Sequence, residues 1–292
     1  MAATLQVGDE ALRAEVVDKA IKGFAVQAYK FKQAVSISTT NAWKNTYYRE
    51  ESTPLASPTG NAIKGLPRGA NFPQAVVKWE KVETVIEKYG LEDNIYWEDI
   101  LTNDIDVQAR TLFRIAEGVV KAVDDEIWDV LTETQGSTAP SAIQSFAIAL
   151  TLHWDGASAA IIDDLMHAKQ LIGEYNYPTN NLMCFISEKD HRGIVKYLAD
   201  SGAQFPSMGD EMARNGRTGK LAGINLIIAH SVTASYALVV VPKICATWKQ
   251  AVALQTKTVI DPFKSVKIRA VEMGVTQLTD PKAVCLIKGT QD

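Results

Sequence analysis

The chain has 292 residues, 47% apolar and 22% charged, a composition ordinary for a protein that buries a real core in one large domain or two small ones. A net charge of −4 excludes the strongly basic stripe of a tight nucleic-acid binder. Three cysteines (Cys184, Cys245 and Cys285), an odd number without CxxC spacing, exclude a disulfide framework and fit reduced thiols and intracellular assembly.

The first residues, MAATLQVGDE, lack the basic and apolar segments of a signal peptide. No apolar run reaches the ~18 residues of a membrane span, and no internal repeat or low-complexity tract is present. Residues 9–35 then carry an amphipathic helical pattern, with Leu12, Val16, Ala20, Phe24, Ala28, Phe31 and Val35 on one side. The pattern fits an arm docked on another subunit or a helix packed on its own core. Asp9, Glu10, Glu15 and Asp18 make it too acidic for a membrane-surface helix.

Residues 42–90 change character. AWKNTYYRE is aromatic and strand-like, and VVKWEKVETVIEKYG alternates for part of its length. Between them Pro54, Pro58, Pro67, Pro73, Gly60, Gly65 and Gly69 punctuate a turn-rich tip. The spacing predicts a long two-stranded excursion, and an isolated ribbon of that kind is marginal in water. A neighbouring copy of the chain is one surface for it to lie on. Lys64 and Arg68 near its tip are either solvated or paired with a neighbour's acids.

Residues 101–131 read as one helix, roughly 40 Å long at 1.5 Å per residue. Ile105, Ala109, Leu112, Phe113, Ala116, Val119, Val120, Val123, Ile127, Val130 and Leu131 form its apolar stripe. Asn103 or Asp104 can cap its start. The late acids Asp124, Asp125, Glu126 and Asp129 sit at the end the helix dipole disfavours, so a solvated face or a positive partner is expected for them. Beyond it, residues 138–250 alternate helices with separated strands. SAAIIDDLMHAKQLIGEY is helical, NNLMCFIS is a buried strand, and Ser187 caps the helix SEKDHRGIVKYLAD with Asp190 in the capping-box neighbourhood. INLIIAHS, YALVVVPK and SVKIRAVE are strands, and the class is α+β.

Signs of chemistry are weak. NGRTGKL fails as a phosphate loop twice, with Arg214 where a glycine is needed and Leu221 where Ser or Thr is needed. His153, His167, His191 and His230 show no zinc spacing. Cys184 and His191 are a conceivable nucleophile pair, but Cys184 lies in an apolar strand where an inert thiol is the usual case. Glu92-Asp93, Glu98-Asp99 and Asp124-Asp125-Glu126 match no calcium loop and read as solvated or intersubunit acids. Catalytic residues, metal ligands and cofactors are therefore all assigned as none.

The order of motifs resembles a family. EKYGLEDNIYWEDI precedes the long helix ending AVDDEIWDVL. CFISEKDHRGIVKYLAD, the turn TGKLAGINLIIAHS, ALVVVP and the tail SVKIRAVEMGVTQLTDPKAVCLIKG follow. This is similar to the major capsid proteins of tailed bacteriophages, whose fold encapsulins share. The resemblance implies an N-terminal arm (1–41), an extended β-hairpin loop (42–90) and a peripheral domain with a spine helix (91–139). It further implies an axial α/β domain (140–250), peripheral return strands (251–273) and a C-terminal strand rejoining the axial domain (274–292).

It also implies self-assembly into pentamers and hexamers of an icosahedral head, built by way of a procapsid in the host cytoplasm and enclosing double-stranded DNA without sequence-specific binding. The expected partners are a separate scaffolding protein, a portal and decoration proteins, with no membrane. Lys64, Arg68, Asp124, Asp125, Arg217 and Lys220 are the expected intersubunit contacts. Some members crosslink a loop Lys to a neighbour's Asn, but no Asn or activating Glu is matched here to Lys64. The alternatives are an encapsulin-like compartment shell and, in another class, a soluble Cys/His hydrolase.

Overall fold

The computed structural model describes residues 29–50, 79–98, 105–133, 142–156, 158–200 and 219–292, with Ile21, Arg68, Gly69 and Asn71. Lys64, Arg217 and most of the amphipathic stretch 9–28 lie outside the described residues. Among those described, twelve strands and three α-helices form an α+β protein, as expected.

Four strands make the first sheet: β1 (Ser36–Thr39), β4 (Glu87–Tyr96), β10 (Ala246–Asp261) and β11 (Ser265–Leu278), in the order β1-β10-β11-β4. β1 runs parallel to β10, while β10–β11 and β11–β4 are antiparallel. The spine helix α1 (Ile105–Leu131) packs on β4 and β11. Leu112, Ile115, Ala116, Val119, Val120, Val123, Ile127, Trp128 and Leu131 are its buried residues. From Leu112 to Leu131 the expected stripe is present, with Val130 half-buried and two additions, Ile115 and Trp128, while the side chains of Ile105 and Ala109 lie outside the described residues. Phe113, placed in the stripe by periodicity, is about half exposed.

The second sheet has six strands, β5 (Gln144–Ala147), β6 (Met183–Ile186), β7 (Lys220–Leu221), β8 (Ile224–Ile228), β9 (Tyr236–Val240) and β12 (Val284–Lys288), in the order β5-β12-β9-β6-β8-β7. Helices α2 (Ile161–Glu174) and α3 (Glu188–Asp200) accompany it. At the start of α3, Asp190 N–H donates to Ser187 Oγ at 3.1 Å, and Ser187 Oγ and N–H both reach Asp190 Oδ2, at 2.7 and 3.4 Å. That is the reciprocal capping box read from the sequence, with Asp in place of Glu.

Two boundaries differ from expectation. The helical pattern of 9–35 does not continue to Val35. Phe31–Gln33 is a single 3₁₀ turn, and Ser36–Thr39, with β-branched Ile37 and Thr39, then joins β10. β10 is one strand from Ala246, so the division expected at 250 runs through it. The two sheets share one chain that enters the first, passes through the second, returns as β10–β11 and ends in the second as β12.

Candidate functional site

Three features stand out among the described residues: a two-stranded ribbon, the joint that ties it to the end of the spine helix, and a buried polar cluster beneath the segment that precedes β1.

The ribbon is β2 (Lys44–Glu50) paired antiparallel with β3 (Trp79–Val85), a two-stranded sheet separate from the other two. Trp43, Tyr48 and Trp79 are each about 60% exposed on it, an apolar load that a lone ribbon has no reason to hold in water. Its outer end, beside the Glu50–Trp79 pair, is tied to the body of the same chain. Arg49 Nε meets Glu80 at 2.5 Å and Arg49 Nη1 meets Glu133 at 3.2 Å, just past the end of α1. Glu133 also accepts the N–H of Ala142 at 2.8 Å, so one carboxylate ties ribbon, spine helix and the entry to the six-stranded sheet. Arg49→Ala is expected to cost under ~1 kcal/mol of global stability, since the pair is partly solvated. It should nonetheless raise amide exchange along β2 selectively. Unchanged β2 exchange would show that the ribbon's angle is set elsewhere.

The buried cluster gathers residues the sequence reading did not single out. Glu272, fully buried on β11, accepts Tyr29 Oη at 2.5 Å, Lys32 Nζ at 2.5 Å and Gln250 Nε2 at 3.1 Å. Lys32 also lies 3.7 Å from the Tyr29 ring centroid and 5.3 Å from that of Trp248. Burial lowers the Lys32 pKa despite the opposing pull of Glu272. Burial, then Glu272, raises that of Tyr29. A signal for Glu272 exists in the sequence. Strand alternation puts it in phase with Val266, Ile268 and Ala270, all buried.

Asp124 corrects an expectation. Its side chain does not face solvent. It is 4% exposed, and its Oδ2 accepts the N–H of Lys30 at 2.9 Å. The turn at 29–34 folds back onto α1, stacking Phe31 on Phe185 with centroids 4.2 Å apart and edge-on to Trp128 at 5.8 Å. That packing covers the acid. Burial raises the Asp124 pKa to about 6, while the Lys30 and Phe31 N–H groups and Lys32 pull it back. Asp125 is half-buried, and Arg68 and Lys220 are exposed. Lys64 and Arg217 lie outside the described residues.

On the sheet's other face, Lys88, Glu92, Lys257 and Arg269 surround a shallow groove of about 540 Å³ at Gly90, with Arg269 paired to Glu92. The nucleophile reading fails on burial. Cys184 is fully buried, and burial, then Asp190 and Cys285, push its thiol pKa up, away from the thiolate a nucleophile needs. Burial likewise pushes Cys245 and Cys285 up to about 12. Among the described residues no group of His, Cys, Asp and Glu could hold a metal, and no helix is long and apolar enough to cross a membrane.

Comparison with known proteins bears on the fold and the family. A family model described as phage capsid protein matches residues 79–287. No curated protein sequence matches the chain. A virus-like particle from Pyrococcus furiosus superimposes with TM-score 0.63 at 12% identity, covering 94% of this chain and 98% of that one. The capsid of the cyanophage P-SCSP1u gives 0.65 at 12% identity, covering 89% and 88%. A phage-related protein from Bordetella bronchiseptica gives 0.61 at 14% identity, covering 94% and 97%. At such identities the likeness is one of fold.

Proposed function

This chain belongs to the phage capsid protein family, and we propose that its copies join through heterologous contacts into rings of five and six that close an icosahedral head around double-stranded DNA. It is a structural shell protein. The observation that carries the assembly mode is the ribbon. Tyr48 and Trp79 on its two strands, with Trp43 just before them, stay about 60% exposed although Arg49 and Thr84 tie the ribbon to its own chain, and a neighbouring molecule laid on that face would bury them. In this reading the four-stranded sheet and α1 form the peripheral domain, and α1 is the strut of a thin tile. The six-stranded sheet is the axial domain, whose loops, with Arg217 and Lys220, meet at the ring centre. Lys64 and Arg68 at the ribbon tip face acids of a neighbour, Asp125 among them.

A separate scaffolding protein, a portal and decoration proteins complete the proposed set of partners, with assembly in the host cytoplasm. A mildly acidic wall encloses DNA without gripping it. A second reading is an encapsulin-like compartment shell, and the match to a virus-like particle over nearly its whole length is compatible with either.

Expression of the chain alone, followed by light scattering and negative-stain electron microscopy, tests the proposal. Closed shells, tubes or rings of five or six are the expected products. A monomer that stays monomeric at high concentration and with a scaffold added would end the shell reading. Nuclease-protected DNA in particles from infected cells separates the viral head from the cargo compartment.

A further inference from the structure

The cluster under the 29–35 turn has unbalanced charge. Two buried carboxylates, Asp124 on α1 and Glu272 on β11, face one buried ammonium, Lys32. The other groups do not repair this. Tyr29 is a neutral phenol, Gln250 and Trp248 are neutral, and Asp125 adds negative charge from the same helix. Tyr89 on β4 is a second neutral phenol, and Glu87, at the start of that strand, is one more acid. Lys32 is spent on Glu272 at 2.5 Å. Asp124 receives the Lys30 N–H on Oδ2 and the Phe31 N–H also points toward the carboxylate, but Oδ1 is buried with no well-formed hydrogen bond. An ionised carboxylate with one bare, buried oxygen is costly, and a proton on that oxygen removes the cost.

We propose that docking of the 29–35 turn onto the spine helix and sheet is coupled to uptake of one proton by Asp124. The joint between the N-terminal segment and the body is then a proton-sensitive latch, closed in mild acid and looser above neutrality. When the turn lifts, water reaches Asp124 and the carboxyl ionises at the ordinary value near 4. The docked form holds its proton up to about pH 6. The stabilisation is complete below about pH 4 and disappears as pH rises through about 6. The latch is local because its partners lie on three separate elements, while Phe31 and Trp128 beside it are purely apolar ties without pH dependence. It stands independently of the assembly reading.

The test is hydrogen exchange by mass spectrometry on the full chain, from pH 5 to pH 8.5, corrected for the intrinsic pH dependence of exchange. Peptides covering 29–35 report the latch, and peptides covering Tyr236–Val240, in the middle of the second sheet, report global opening. Protection of 29–35 should be about tenfold greater at pH 5 than at pH 7, with the reference unchanged. Asp124→Asn keeps the acceptor and removes the charge, and its profile should be flat. Glu272→Gln leaves Lys32 to balance Asp124, and should move the transition to lower pH. A flat wild-type profile, or an Asp124→Asn profile that still slopes like the wild type, overturns the proposal. Should Asp124→Asn not fold, the direction of the Glu272→Gln shift decides it: downward supports the latch, and no shift or an upward one refutes it.

Discussion

Glu272→Ala is expected to lower the free energy of unfolding by about 3–5 kcal/mol, among the largest losses available from a single polar side chain. Glu272 is fully buried and accepts from Tyr29, Lys32 and Gln250 at once. Truncation strands the Lys32 ammonium, whose side chain is 11% exposed, without its direct ion-pair partner, leaving only the longer-range charge of Asp124. The cost is therefore that of an uncompensated charge and not of a lost surface pair. The same reasoning predicts rescue. Lys32→Met combined with Glu272→Leu replaces the pair by apolar groups and should recover most of the loss, because the desolvation of two ions disappears together with their attraction. Denaturant unfolding of the two single variants and the double variant measures the coupling. A Glu272→Ala loss under ~1 kcal/mol would mean that water already reaches the cluster.

Gly274→Ala is expected to destabilise by about 1–3 kcal/mol, against the few tenths typical of a surface change. The cause is space, not backbone freedom. A Cβ at 274 would lie 2.4 and 2.6 Å from the Cζ2 and Cε2 atoms of Trp248 and 2.9 Å from the Lys249 carbonyl oxygen. Trp248 is fully buried, with Tyr89 at 6.0 Å and Lys32 at 5.3 Å from its rings, so it has little room to retreat. Its displacement would press on the Lys32–Glu272 pair as well. A fall in the denaturation midpoint with a blue- or red-shifted tryptophan emission is the expected signature. A Gly274→Ala protein as stable as the parent would show that the β10–β11 ladder relaxes at low cost.

Gly274 illustrates what a linear reading misses. SVKIRAVEMGVTQL declares a strand by its alternation, and the strand is there, Ser265–Leu278. Nothing in it says that an indole from a strand about 26 residues earlier will lie against the glycine. Asp124 teaches the same point from the other side. Dipole and periodicity arguments place it on a wet helix end, and by helix geometry alone that is sound. The chain overrules them when a turn nearly a hundred residues earlier folds over it and donates an N–H. Glu272 was half visible. Its phase in the strand marks a buried acid, but its partners Tyr29 and Lys32 come from 243 and 240 residues away.

What the sequence by itself determined is local. The 27-residue spine helix follows from apolar spacing of three and four, the cap of α3 from Ser187 and Asp190, the ribbon from alternation around a Pro- and Gly-rich tip, and the α+β class from their mixture. The order of those motifs carried the family resemblance. Each depends on residues within a turn or a strand of one another, where periodicity and hydrogen-bond geometry are sufficient. Only the tertiary structure decided the two sheet orders, the burial of Asp124, the carboxylate at Glu133 that joins ribbon to helix, and the charge cluster on Glu272. Those depend on which distant segments share a low-dielectric interior. Burial there changes the worth of a charge by several kcal/mol, an effect no local pattern encodes.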